Sequence, residues 1–142
     1  MKIMIAVDDS PHSERAIRFV TCMRWPAGSR MIVANVLPPA VRPEASNSDS
    51  VGVSAEPRRW EAVSTRAQNQ LRDAGLSTER RVTEGDAREQ LLQLVDSERV
   101  DLLVMGSRGH SGLARLMLGS VSSHAVAHAS CSVLVVKETK RR

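Results

Sequence analysis

Gly106, Ser107, Arg108 and Gly109 stand together near the C-terminus, and after nine intervening residues come Gly119 and Ser120. The residues before them, 100–105 (VDLLVM), form a largely apolar run, and a helical pattern begins where the spacing ends. Glycines let main-chain N–H groups come close to an anion, and the unpaired N–H groups of a helix's first turn complete such a site. Ser120 adds a hydroxyl that can cap the helix or reach a ligand. A strand that empties into a glycine loop and then a helix start therefore predicts a phosphate-type anion site. A plain tight turn is the competing reading.

The spacing Gly106-x-x-Gly109-(nine)-Gly119-Ser120 resembles the nucleotide signature of the ATP-binding branch of the universal stress protein family. The opening, Ile3-Met4-Ile5-Ala6-Val7-Asp8-Asp9-Ser10, resembles that family's first strand and its Asp-containing turn. Residues 128–136 (HASCSVLVV) resemble its last strand, so the likeness runs over about residues 1–137. It implies phosphates against Gly106, Gly109, Gly119 and Ser120, with Val121 and Ser122 continuing the helix start. Adenine and ribose would lie near Ala6, Val7, Asp8, Val36 and Met105. Asp8 would bond the ribose or base, or help hold magnesium carried by the nucleotide. Its alternative is a turn residue whose carboxylate bonds the following backbone. Asp9 departs from the small residue, often glycine, usual in the family at that place.

Arg108 and Arg115 are the cations nearest the expected phosphates, and guanidinium matches phosphate oxygens well; exposure to solvent is the alternative for each. Leu113, Leu116, Met117 and Leu118 would either cover the ligand or pack the loop onto the sheet, and His110 would face solvent. The expected protein is thus a cytoplasmic, ATP-binding, nucleotide-responsive regulatory module in stress response. The sequence has no Gly-x-x-x-x-Gly-Lys-Ser/Thr, no Gly-x-Gly-x-x-Gly after the first strand, no kinase-like Asp/Asn pair and no local Ser-His-Asp motif. It supplies a binder more readily than a catalyst. Two rivals stay open: a slow ATP-hydrolysing or phosphoryl-transferring enzyme of the same fold, and an interaction module that binds no nucleotide.

Composition narrows the partners. At 142 residues the chain reads as one nucleotide-binding domain, 1–142. The net charge of +4 owes much to Lys137, Lys140, Arg141 and Arg142, with residues 138–142 read as a basic tail. With one Phe, two Trp and no Tyr there is no aromatic and basic surface on which nucleic acid would stack. Cys22 and Cys131 read as small buried hydrophobes, too few for a disulfide framework or metal site, and suit a reducing cytoplasm. His124 and His128 have a spacing that zinc can use, but no third ligand accompanies them. No membrane span or leader is expected.

The elements that must position these residues follow from periodicity. Strands are expected at residues 2–7, 30–37, 77–83, 100–105 and 131–137, and helices at 11–24, from about 60 to 74, after Gly85-Asp86, and at 119–129. Ala16, Ile17, Val20 and Met23 give the first helix one buried stripe. Residues 38–57 carry no periodicity and are expected to be a mobile loop. Alternating strands and helices predict an open α/β parallel sheet, Rossmann-like, with helices on both faces. The order 3-2-1-4-5 is permitted by the polar third strand, which suits an edge, and is implied by the resemblance. That order leaves the apolar strand 131–137 at the other edge, where pairing with a second copy predicts a homodimer.

Overall fold

The computed structural model describes residues 1–39, 55–109 and 117–138. Its elements run β1 (Lys2–Ala6), α1 (Pro11–Cys22), β2 (Arg30–Leu37), α2 (Ala55–Asp73), β3 (Thr78–Glu84), α3 (Ala87–Glu98), β4 (Leu102–Gly106), α4 (Ser120–His128) and β5 (Ser132–Val136). All strand pairs are parallel, in the order β3-β2-β1-β4-β5.

The two faces of the sheet have separate cores. Ile3, Ile5, Met31 and Val33 point one way, onto Ala16, Ile17 and Val20 of α1 and Val63, Ala67 and Leu71 of α2. Met4, Ile32, Ala34, Leu103 and Met105 point the other way, onto Leu91 and Val95 of α3 and Ala125 of α4. This alternation is why β1, β2 and β4 read as unbroken apolar runs: both sides of each are covered.

β3 lies at an edge, as its polar centre suggested. Arg80 donates to Thr65 Oγ1 at 2.6 Å, and Arg81 pairs with Glu79 and Glu98. Those carboxylates, Glu98 first, hold the Arg81 guanidinium above its ordinary pKa against the opposing effect of burial. Charge along an unpaired edge deters accidental strand addition.

Local chemistry sets the helix ends. Ser10 caps α1 by accepting from the Ser13 N–H at 3.2 Å, and Pro11 occupies the position where its missing N–H costs nothing. α1 stops at Cys22 rather than near residue 24, and Met23 is 45% exposed at its C-cap instead of completing the buried stripe. Trp25 takes over there, its indole donating to the Val20 carbonyl at 2.9 Å. Cys22 is exposed and Cys131 only half-buried, which corrects the reading of both as buried thiols. Cys22 lies at the last position of α1, turned away from the stripe that packs. α2 begins at Ala55, so residues 55–57 belong to a helix and not to the expected loop. Pro57 falls in its first turn, where proline is tolerated. The rest of that loop, from residue 40 to 54, lies outside the described residues, as do residues 139–142 of the expected tail.

β1 is the hinge of the topology. It pairs with β2 on one side and β4 on the other, and the chain leaves it in opposite directions. The C-terminal ends of β1 and β4 therefore diverge, and open parallel sheets bind ligands at such a point.

Candidate functional site

At that divergence lies a cavity of about 90 Å³. Its wall divides by chemistry. Ala6, Ala34, Val36 and Met105 of the strand ends, with Ala87 and Leu91 of α3, make an apolar side. Asp8, Ser13, Arg108 and Ser122 supply the polar groups, and Val7, Gly106, Gly109 and Val121 complete the wall.

Of the residues expected from sequence, Ala6, Val7, Asp8, Val36, Met105, Gly106, Arg108, Gly109, Val121 and Ser122 meet at this wall. Gly119 and Ser120 do not line it. Gly119 is the N-cap of α4 with no side-chain cap bond, so Ser120 is the first helical residue and its exposed hydroxyl is not the cap. Arg115, His110, Leu113 and Leu116 fall outside the described residues; Met117 is exposed and Leu118 half-buried.

Ser13, Ala34, Ala87 and Leu91 were missed. Ala34 carried a signal, since it is the in-register partner of Ala6 and lies two residues before Val36 on the same face. Leu91 reads from sequence only as core, and Ala87 and Ser13 carry no signal of their own.

Backbone geometry joins the two ends of the glycine segment. The Gly119 N–H donates to the Ser107 carbonyl at 2.8 Å, and buried Ser122 donates its hydroxyl to the same oxygen at 3.0 Å. The start of α4 is thereby fixed beside the end of β4, with Val121 and Ser122 turned to the cavity. First-turn N–H groups have no intrahelical acceptor, so this arrangement is suited to an anion. None of Gly106, Gly109 and Gly119 has a positive φ, so left-handed backbone is not why they are glycine. Close approach is. A Cβ on Gly106 would stand 2.6 Å from the backbone carbon of His12, and one on Gly109 would stand 3.0 Å from Asp8 Oδ2.

Asp8 is held from behind. The Ser10 N–H donates to its Oδ1 at 3.1 Å, and the Ser10 hydroxyl makes a short bond to the same oxygen. The Ser10 N–H bond is the carboxylate-to-backbone contact of the turn reading, and the Asp8 main-chain carbonyl accepts from Ser13 Oγ at 2.6 Å. Neighbouring Asp9 pairs with Arg59 of α2, which balances the charge that it brings to the rim. Arg108 is the one cation in the wall among the described residues, and its buried Nε has no partner there.

Just outside the wall, Asp86 caps α3 by accepting from the Arg88 N–H at 2.9 Å. The Arg88 side chain bonds the same carboxylate and holds it well below the usual range, at about 2. Burial pushes the Cys131 thiol up. Among the described residues no three His, Cys, Asp or Glu side chains gather to hold a metal ion. The rings of His124 and His128 lie 4.5 Å apart on α4. No helix among the described residues is long and apolar enough to cross a membrane.

Comparison with known proteins bears on this site. The family model described as the universal stress protein family matches residues 1–137. A universal stress protein of Thermus aquaticus is 30% identical over 95% of this chain and 97% of its own length. Another, from Methanocaldococcus jannaschii, is 31% identical over 66% of this chain, a match that spans 61% of that protein. Among solved structures, a universal stress protein in complex with cAMP superposes with a TM-score of 0.72 at 23% identity, covering 96% of each chain. One from Archaeoglobus fulgidus in complex with dAMP gives 0.72 at 20%, covering 96% of this chain and 98% of that one. One from Arabidopsis thaliana with AMP bound gives 0.66 at 21%, covering 99% and 93%.

Proposed function

From the premise that this chain belongs to the universal stress protein family, we propose that it is a cytoplasmic adenine-nucleotide sensor of the stress response, binding ATP or a related nucleotide at the β1–β4 divergence. One observation carries the reading. The apolar wall and the helix start meet in one cavity, with a single carboxylate and a single guanidinium lining it among the described residues. A flat, mostly apolar base suits Ala34, Val36, Ala87, Leu91 and Met105. Phosphate suits the first-turn N–H groups at Val121 and Ser122, the glycine loop and Arg108. The cAMP, AMP and dAMP held by proteins of the same fold support the class of ligand.

In this reading the protein turns over little or no ATP. Asp8 is the one carboxylate in the wall, and Ser10 already occupies one of its oxygens. Magnesium brought by the phosphates would find its acceptor at the other. The nucleotide would act by occupancy, biasing contacts that the protein makes with a regulatory partner. Homodimerisation through β5 belongs to the same proposal, since β5 closes one edge of the sheet with an apolar run.

Mass spectrometry of ligand released from the freshly purified protein tests the reading, together with steady-state phosphate release from ATP. An adenine nucleotide with negligible phosphate release is expected. Protein that neither carries nor binds an adenine nucleotide would favour the pure interaction module. Turnover near the ~10 s⁻¹ of a median enzyme, lost on Asp8→Asn, would favour the enzyme.

A further inference from the structure

α4 carries two imidazoles one helical turn apart. His124 and His128 stand at i and i+4, with ring centroids 4.5 Å apart and planes tilted by 48°. Val121 and Ala125 turn to the core, and the pair flanks that stripe, His124 half-buried and His128 exposed. Among the described residues no hydrogen bond or ion pair engages either ring. A neutral imidazole keeps one ring nitrogen as an acceptor and metal ligand. Two of them one turn apart on a helix reach a single ion, as the histidines of a helical H-E-x-x-H motif do.

We propose that His124 and His128 form a two-ligand site for a borderline divalent transition ion, Zn²⁺ or Cu²⁺, with water at the remaining positions. The inference stands apart from the nucleotide reading, because α4 meets the cavity through Val121 and Ser122 of its first turn and the pair lies beyond them. Imidazole suits zinc, copper and nickel, whereas magnesium and calcium take oxygen ligands. No outer partner among the described residues orients either ring, so the site is weaker than a structural zinc centre and exchanges its ion with solvent. An ion that bridges i and i+4 binds only the helical form of this nine-residue segment, and so stabilises it.

The experiment is titration of Zn²⁺ into the full chain at about pH 7.5, where unperturbed imidazole is mostly neutral. Calorimetry gives the affinity, and NMR follows the histidine ring signals and the amide exchange of α4. A Cys22→Ser background removes the exposed thiol, which would compete for zinc. One ion per chain is expected, with both rings shifting together, slower exchange through α4 and no response to Mg²⁺. Loss of an outer hydrogen-bond partner already costs a metal site about 10–100-fold in affinity, so His124→Ala and His128→Ala should each weaken binding by at least about tenfold. Alanine is the better helix former, so a melted α4 cannot account for either loss, and thermal melts confirm the fold. His12→Ala, on α1, should leave the binding unchanged. No saturable binding, a shift confined to one ring, or undiminished affinity in both α4 variants would overturn the proposal.

Discussion

Gly106 and Gly109 are glycines for different neighbours, and the difference is measurable. At Gly106 the obstacle is backbone, the carbonyl carbon and oxygen of His12. Gly106→Ala must therefore push α1 away from β4 and should destabilise the fold by about 1–3 kcal/mol, the usual cost of overpacking, read as a lower denaturant midpoint with unchanged slope. At Gly109 the obstacle is a side-chain oxygen, so the fold should tolerate alanine while the site does not. The sequence showed that glycines stand here. It could not show that their φ values are ordinary, nor which neighbour each one spares, because His12 and Asp8 come from the other end of the chain. The cysteines teach the same lesson. Helical and strand positions suggested burial for both, yet packing leaves Cys22 outside. A thiol reagent should therefore label Cys22 well before Cys131, whose desolvated thiol is held protonated; equal rates by mass spectrometry would contradict this.

At the scale of elements, α3 joins the sheet to the site. Its first residue, Ala87, and its inward Leu91 form part of the apolar wall, and Asp86 caps it. Folding lowers the Asp86 pKa from 3.8 to about 2, chiefly through the Arg88 side chain. A depressed carboxylate stabilises above its unfolded value, and that contribution is lost as pH falls from about 4 through about 2. Amide protection at the start of α3 should drop over that window in the wild type. In Asp86→Asn, whose cap does not titrate, it should change much less. Strand and helix periodicity made α3 legible, but its place beside the cavity was not. Nothing in Ala87 or Leu91 marks a residue as lining a ligand site rather than a core. Element ends were the other weak point. The periodic face of α2 was evident from Trp60 onward, but its first turn at Ala55 carries no apolar repeat to announce it.

The whole molecule leaves its most apolar strand at an edge. β5 pairs with β4 on one side, while Phe19 of α1, Met23 at its C-cap and Val126 of α4 are exposed, and α1 and α4 pack against β5 from opposite faces. Uncovered apolar edges invite pairing. A second copy should cover this one, giving a dimer by light scattering at tens of micromolar, and Val135→Lys should give monomer or insoluble protein. A wild-type monomer at that concentration would sink the idea. The polar third strand only permitted the observed strand order, because a polar strand marks an edge and not a sequence of neighbours; the resemblance carried by the glycine spacing implied it. Whether this fold gathers the expected residues into a nucleotide site is decided by calorimetric titration of ATP into wild type and Gly109→Val. Saturable binding to wild type and a loss of about tenfold or more in the variant are expected, with both proteins folded. Equal ATP affinity in two folded proteins would contradict it.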